Sequence, residues 1–217
     1  MRFKRCIWLG SLLALLLAFP MMSQTEAVKA IQLPKPQTDG GKPLMQVLKE
    51  RKSTRAFSDR KLSEQTLSDL LWAACGINRP DGRRTAPTAM NKQEIDVYVI
   101  LAQGAFLYDP KEQTLKPVVG GDLREQAGTQ PFAKEAPVNL IYVADTAKMG
   151  GGPEEDKILY YGADTGFVSQ NVYLYCASEG LATVVRASFD RAEVARALKL
   201  GPGRMPALAQ TVGYPKE

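Results

Sequence analysis

Histidine is absent from the 217-residue sequence, and that absence removes several kinds of chemistry at once. A Ser–His–Asp set, a histidine-ligated metal and a histidine general base all require an imidazole. Cysteine is scarce, with three residues. Cys6 lies in the apolar start of the chain, while Cys75 and Cys176 sit on apolar helical stretches without CxxC spacing. Buried free thiols are the preferred reading of these two, and a disulfide between them is the alternative in an oxidising compartment. Neither pattern points to a metal. No G-x-G-x-x-G follows a strand-like segment, so no dedicated dinucleotide-binding unit is expected. Strong charge bias is missing too. The 28 basic residues stand against 23 acidic ones and are spread along the chain, which argues against a nucleic-acid partner.

The chain also lacks an apolar run of membrane-spanning length. Met1-Arg2-Phe3-Lys4-Arg5 is followed by apolar sequence from Cys6 to Phe19, short of the roughly 20 residues that a spanning helix needs. A basic start and one short apolar run have the form of a secretory signal peptide, with cleavage after Ala27 or Ala30. Residues 1–27 are therefore expected to direct Sec-type export to the periplasm or beyond, with no stable membrane insertion after cleavage. Arg2 and Arg5 are separated, so they form no twin-arginine pair.

What remains is long enough for one domain with a full core. Residues 28–43, rich in proline and glycine toward their end, read as an extended leader. Leu44, Met45, Val47 and Leu48 have helical spacing just after Pro43. Ser63 is an N-cap for a second helix with Leu67, Leu70, Leu71 and Ala74 as its buried stripe and Gly76 as its stop. Alternation over 95–101 predicts a strand. Two short strands around Phe106–Tyr108 and Thr114–Val118 flank an Asp-Pro turn. A mostly apolar run over 136–145 predicts another strand, and a long helix follows over about 157–178, ending at Gly180. A short strand at 183–186, a helix capped by Asp190 and Glu193 carrying Val194 and Leu198, and a last strand over 207–213 complete the domain. Strands and helices mix without βαβ regularity, so the expected class is α+β with a central, mainly antiparallel sheet flanked by helices.

The segment Arg51-Lys52-Ser53-Thr54-Arg55 concentrates cations and hydroxyls where a helix gives way to a loop. Guanidinium forks and hydroxyls are what a phosphate monoester needs. A solvated basic helix end would have the same composition. Arg83-Arg84 is a second local basic pair.

The run Arg51-Lys52-Ser53-Thr54-Arg55-Ala56-Phe57 closely resembles the opening signature of the nitroreductase flavoprotein family, and the likeness continues in order over residues 44–215. It is strongest to the SagB-type dehydrogenase branch. The resemblance implies FMN, with Arg51, Ser53 and Arg55 on its phosphate and ribityl chain and Lys52 contributing. Arg84 to Gln93 is similar to the family's Pro-Ser-Ser/Ala-x-Asn-x-Gln loop, which relatives contribute across a dimer interface. Carried over, Pro87, Thr88, Ala89 and Asn91 border the partner's flavin; Glu94-Ile95 stand where relatives have Pro-Trp. Asp164 to Leu174 resembles the long central helix, in which Gly166 would allow close packing at the dimer seam. Thr183 to Asp190 matches the strand whose backbone meets the flavin's redox edge, which implies roles for Val184, Val185 and Arg186. Arg186-Ala187 stand where many relatives have Gly-Gly or Glu-Gly, and a cation there would favour reduced flavin. Val212-Gly213-Tyr214-Pro215-Lys216 matches the closing motif, with Lys216 as a further phosphate cation; the basic, wrapping extension common in relatives does not follow it.

The resemblance thus implies a homodimeric, FMN-dependent oxidoreductase acting by two-electron, ping-pong transfer on a small molecule or peptide. The flavin would do the redox chemistry, with no catalytic side chain assigned. Export separates the protein from nicotinamide donors. A domain that binds flavin or a partner in the cell envelope without redox turnover is the reading from a different class.

Overall fold

The computed structural model describes residues 28–216. The expected signal peptide, 1–27, lies outside the described residues. No helix among the described residues is long and apolar enough to cross a membrane.

The core is a seven-stranded sheet in the order β1-β4-β3-β2-β5-β7-β6. The strands are β1 (Ile31–Gln32), β2 (Ile95–Leu101), β3 (Gly104–Asp109), β4 (Thr114–Gly120), β5 (Val138–Asp145), β6 (Ala182–Arg186) and β7 (Arg204–Gly213). Every pairing is antiparallel, as expected for the α+β class. The helices are α1 (Leu44–Glu50), α2 (Glu64–Cys75), α3 (Pro131–Glu135), α4 (Thr146–Met149), α5 (Glu154–Glu179) and α6 (Arg191–Ala197).

Period-two alternation divides the strands between two cores. Ile95, Val97, Val99 and Leu101 of β2 and Val138, Leu140, Tyr142 and Ala144 of β5 pack with α2 and α5. Their alternates, Tyr98, Ile100, Ile141 and Val143, pack with Val194 and Leu198 at α6. The sheet is covered on both faces, which is why all eight residues of β5 are buried and why that strand reads as a nearly continuous apolar run.

Several local expectations are refined. The leader contributes β1, a two-residue edge strand paired with β4. Ser63 caps α2 by accepting the Thr66 N–H at 3.0 Å. Gly76 ends α2 with φ of −67°, not in the left-handed state expected of a glycine stop. Its need is steric: a Cβ there would collide with Trp72. Gly180 does take the left-handed conformation after α5, at φ 69°. α5 starts earlier than the apolar spacing indicates, because Glu154, Glu155 and Asp156 occupy its first turn and suit the helix dipole. β7 also starts early, and its Pro206 sits at a register shift against β5, where a proline is tolerated. α1 forms as expected, but only Val47 of its apolar residues is buried. Leu44, Met45 and Leu48 face outward.

Cys75 and Cys176 are free and buried. Burial pushes both thiols up, Cys75 to about 11, so neither is a thiolate at neutral pH.

Candidate functional site

At the C-terminal end of α1 the chain turns along the outer edge of the sheet. The Thr54 N–H donates to the Thr183 carbonyl of β6 at 2.9 Å, which ties the Arg51–Phe57 segment to this edge strand. The closing segment docks on the same strap: the Ser58 N–H donates to the Tyr214 carbonyl at 2.9 Å and the Lys216 N–H to the Ala56 carbonyl at 3.2 Å. Phe57, at 3% exposure, anchors the strap beneath β6 with Ala182, Val184 and Ala136. Sequence positions more than 150 apart are thus joined at one edge: Arg51, Lys52, Ser53, Arg55, the β6 backbone and Lys216.

Tyr173 of α5 organises this edge. Its phenolic oxygen is 2.8 Å from Ser53 Oγ and accepts the Val185 N–H at 2.9 Å. The Arg51 guanidinium lies 5.3 Å from the centre of its ring, within range of a cation–π attraction. Sequence reading assigns Tyr173 no role, because a tyrosine on an apolar helix is indistinguishable from a core residue. Arg51, Lys52, Arg55 and Lys216 make no ion pair among the described residues. Lys52, Arg55 and Lys216 are exposed and Arg51 is half-buried. Four uncommitted cations and a fixed hydroxyl form a donor set suited to a phosphate.

Arg186 is not part of this set. Period two places it on the same face of β6 as Ala182 and Val184, opposite α5. Its Nη2 donates to Asn139 Oδ1 at 2.7 Å and to Thr211 Oγ1 at 3.1 Å, Nε donates to Thr211 Oγ1 at 3.2 Å, and Nη1 donates to the Ala127 carbonyl. Burial lowers its guanidinium to about 10, so it remains a cation at neutral pH. No carboxylate pairs with it among the described residues. Gly128 is required beside it, since a Cβ would strike the guanidinium. The Arg186 guanidinium is thus held in a buried network on the face of β6 opposite α5. Val184 is buried, and the Val185 amide is occupied by Tyr173.

The Pro87–Asn91 loop lies elsewhere in the same protomer. It reaches α5 at Asp164, whose Oδ2 accepts the Ala89 N–H at 2.9 Å. Asp164 and Tyr173 are nine residues apart on one helix, a separation of about 14 Å along the axis. Thr88 Oγ1 accepts the Gln93 N–H at 2.9 Å, and Asn91 Oδ1 accepts from the Gln93 side chain at 3.1 Å. A single chain therefore assembles the basic strap but not the strap with the loop.

The nitroreductase family profile matches residues 48–214, a span that includes the strap, the loop, α5 and β6. The chain belongs to the nitroreductase family. A crystal structure of a nitroreductase-assigned protein from Ralstonia eutropha JMP134 is 40% identical, covers 88% of this chain and 92% of its own, and superposes with a TM-score of 0.84. A Methanocaldococcus jannaschii protein assigned as a nitroreductase is 30% identical over 180 residues, which span 78% of this chain and 90% of that one. A chain of the E. coli microcin synthetase complex has a TM-score of 0.66 at 20% identity, with coverage of 94% and 85%; at that identity the likeness is one of fold. The fold and the family are thus those that the motif order implies, and family membership makes the chain an oxidoreductase.

Proposed function

We propose that this nitroreductase-family protein is an FMN-dependent oxidoreductase that works as a homodimer, one flavin at each subunit interface. The observation that carries the reading is the edge cluster of Arg51, Lys52, Ser53, Arg55 and Lys216, cations without ionic partners around a hydroxyl fixed by Tyr173. These residues would hold the phosphate and ribityl chain. FMN, when bound, supplies two-electron transfer between a donor and an acceptor that visit the same site in turn. The protein's own part is to bind, orient and exclude water. Arg51 and Arg55 neutralise the phosphate, and the small residues Thr88 and Ala89 leave room for a flat ring. Arg186 acts at a distance, as structure and as a buried positive charge.

A dimer is supported by large apolar residues that α1 and α5 turn outward. Leu44, Met45 and Leu48 of α1 and Ile158, Leu159 and Phe167 of α5 are all at least 45% exposed. Clusters of large exposed apolar residues mark interaction sites. Gly162 and Gly166 on α5 border open space, which allows a close approach of a second helix. A dimer would also bring the Pro87–Asn91 loop of one subunit toward the strap of the other, joining what one protomer keeps apart.

The motif order supports the SagB-type branch, and hence a small-molecule or peptide substrate. The basic, apolar start of the chain supports export, which would favour a donor other than a nicotinamide. The test is the visible spectrum of protein purified from the exported fraction, followed by anaerobic addition of NADH, NADPH and dithionite. A yellow protein with one FMN per subunit that dithionite bleaches is expected. A colourless protein that takes up no added FMN would end this reading.

A further inference from the structure

The loop bearing Pro87 to Asn91 adopts a costly conformation. Met90, Asn91 and Gln93 have φ of 52°, 54° and 51°, and none is glycine. Left-handed backbone in such residues is unfavourable and persists only when the surroundings enforce it. Within the loop, Thr88 and Asn91 bond Gln93. Gln93 is also tied to the Gly82 carbonyl and to Lys148, and the Pro87–Asn91 part reaches the core through the bond from the Ala89 N–H to Asp164.

Asp164 is 3% exposed, and Glu94, just before β2, is 1% exposed. Neither Glu94 carboxyl oxygen has a hydrogen-bond partner among the described residues, and Glu94 lines one small cavity with Ala89, whose N–H Asp164 accepts, so the two buried carboxyls are neighbours. Two ionised carboxylates cannot bond one another, because both only accept; with one proton between them they can. A single shared proton gives one of the two orphaned Glu94 oxygens a partner. Burial, and then Asp164, push the Glu94 carboxyl from its usual 4.5 to about 7, in the direction such sharing requires.

Glu94 also lines a cavity of about 90 Å³ between the loop and the start of α5, through which it can exchange protons with solvent. Lys92, Asp156, Lys157 and Tyr160 face that cavity. Lys157 is near Glu154 at 3.8 Å. Lys148 and Arg204, on the neighbouring elements, pair with Asp96 and Asp145. No cation bonds Glu94.

We propose that Glu94 and Asp164 share one proton, and that this pair is a positioning device that locks the Pro87–Asn91 loop in its strained, site-forming shape. The loop's use in flavin binding rests on the function proposed above; the shared proton does not.

The sign follows from linkage. The locked loop has the raised carboxyl and a released loop the ordinary one. The lock is therefore complete below about 4.5, weakens as the pH climbs and is lost by about 7, by no more than tenfold per pH unit.

The test uses the full protein without flavin, labelled for side-chain carboxyl titration and for amide exchange at Ala89. Glu94 should titrate near neutrality. Ala89 protection should fall at least tenfold between about pH 5 and about pH 8 in the wild type. In Glu94→Gln the amide supplies a permanent donor to Asp164, so protection should stay high at both. In Glu94→Ala it should be low at both. The FMN Kd of the wild type, relative to that of Glu94→Gln, should rise over the same range by a similar factor. A Glu94 that titrates near its usual value, or wild type and Glu94→Gln sharing one pH response, would overturn the pair. A protein that binds no FMN but shows the Ala89 pattern would support the lock and overturn only the flavin reading.

Discussion

Replacing Tyr173 with phenylalanine removes one oxygen and keeps the ring, so the packing in α5 and the stacking of Arg51 are preserved. What is lost is the phenolic group that accepts the Val185 N–H at 2.9 Å and meets Ser53 Oγ at 2.8 Å. A buried N–H left without a partner costs about 1–3 kcal/mol. Val185 is half-buried, so water recovers part of this and the lower end applies, about 1–1.5 kcal/mol of stability. The second consequence concerns the site. Ser53 Oγ loses the contact that orients it toward a phosphate, and one neutral hydrogen bond is worth about 1 kcal/mol, or roughly fivefold in FMN affinity. Urea unfolding gives the first quantity and fluorescence titration of FMN the second. Stability within 0.3 kcal/mol of wild type together with an unchanged FMN affinity would refute the assignment of Tyr173 as the organiser of the strap.

The buried network at Arg186 separates two substitutions that look alike. Arg186→Ala should cost about 3–5 kcal/mol, since it orphans the Ala127 carbonyl and opens a cavity, while Arg186→Met should cost about 2 kcal/mol less because it fills the space with an apolar chain; equal losses in urea unfolding would contradict this account. Leu159→Asp places a charge in the outward face of α5 and should convert a two-chain particle into single chains by light scattering, with loss of bound flavin. A particle that keeps its mass would locate the interface elsewhere.

The basic strap was legible because its residues are contiguous. Charge and hydroxyl density at a helix end is shared by a solvated helix terminus, and it was the motif order that supplied the family. The sheet was legible through alternation, with β2 and α2 close to their expected bounds. The surroundings of Arg186 were not legible, although period two puts it on the face of Ala182 and Val184. Its charge suggested a ligand, whereas burial among Asn139, Thr211 and Gly128 depends on three distant segments. Tyr173, Glu94 and Asp164 were missed for a related reason. Each has its meaning in a partner 12 to 120 positions away, and nothing local distinguishes it. The exposed apolar residues of α1 show the opposite case: their spacing predicts a helix, but not whether the buried side faces the same chain or another.

The docking of the Tyr214–Lys216 segment on the Arg51–Phe57 strap has a consequence for the order of events during synthesis. β2, β3 and β4 can pair as they emerge from the ribosome, and β5 can add to β2. The other side of β5 waits for β7, and the edge strand β6 is held by β7 as well. The strap is among the first parts of the domain to be made, yet its bonds to the Tyr214–Lys216 segment form only after β7, and the β6 edge that it also contacts is held in the sheet by β7. A nascent chain stalled before β7 would therefore lack the bonds that hold the strap to Tyr214 and Lys216, so the strap is among the last parts of the domain to settle.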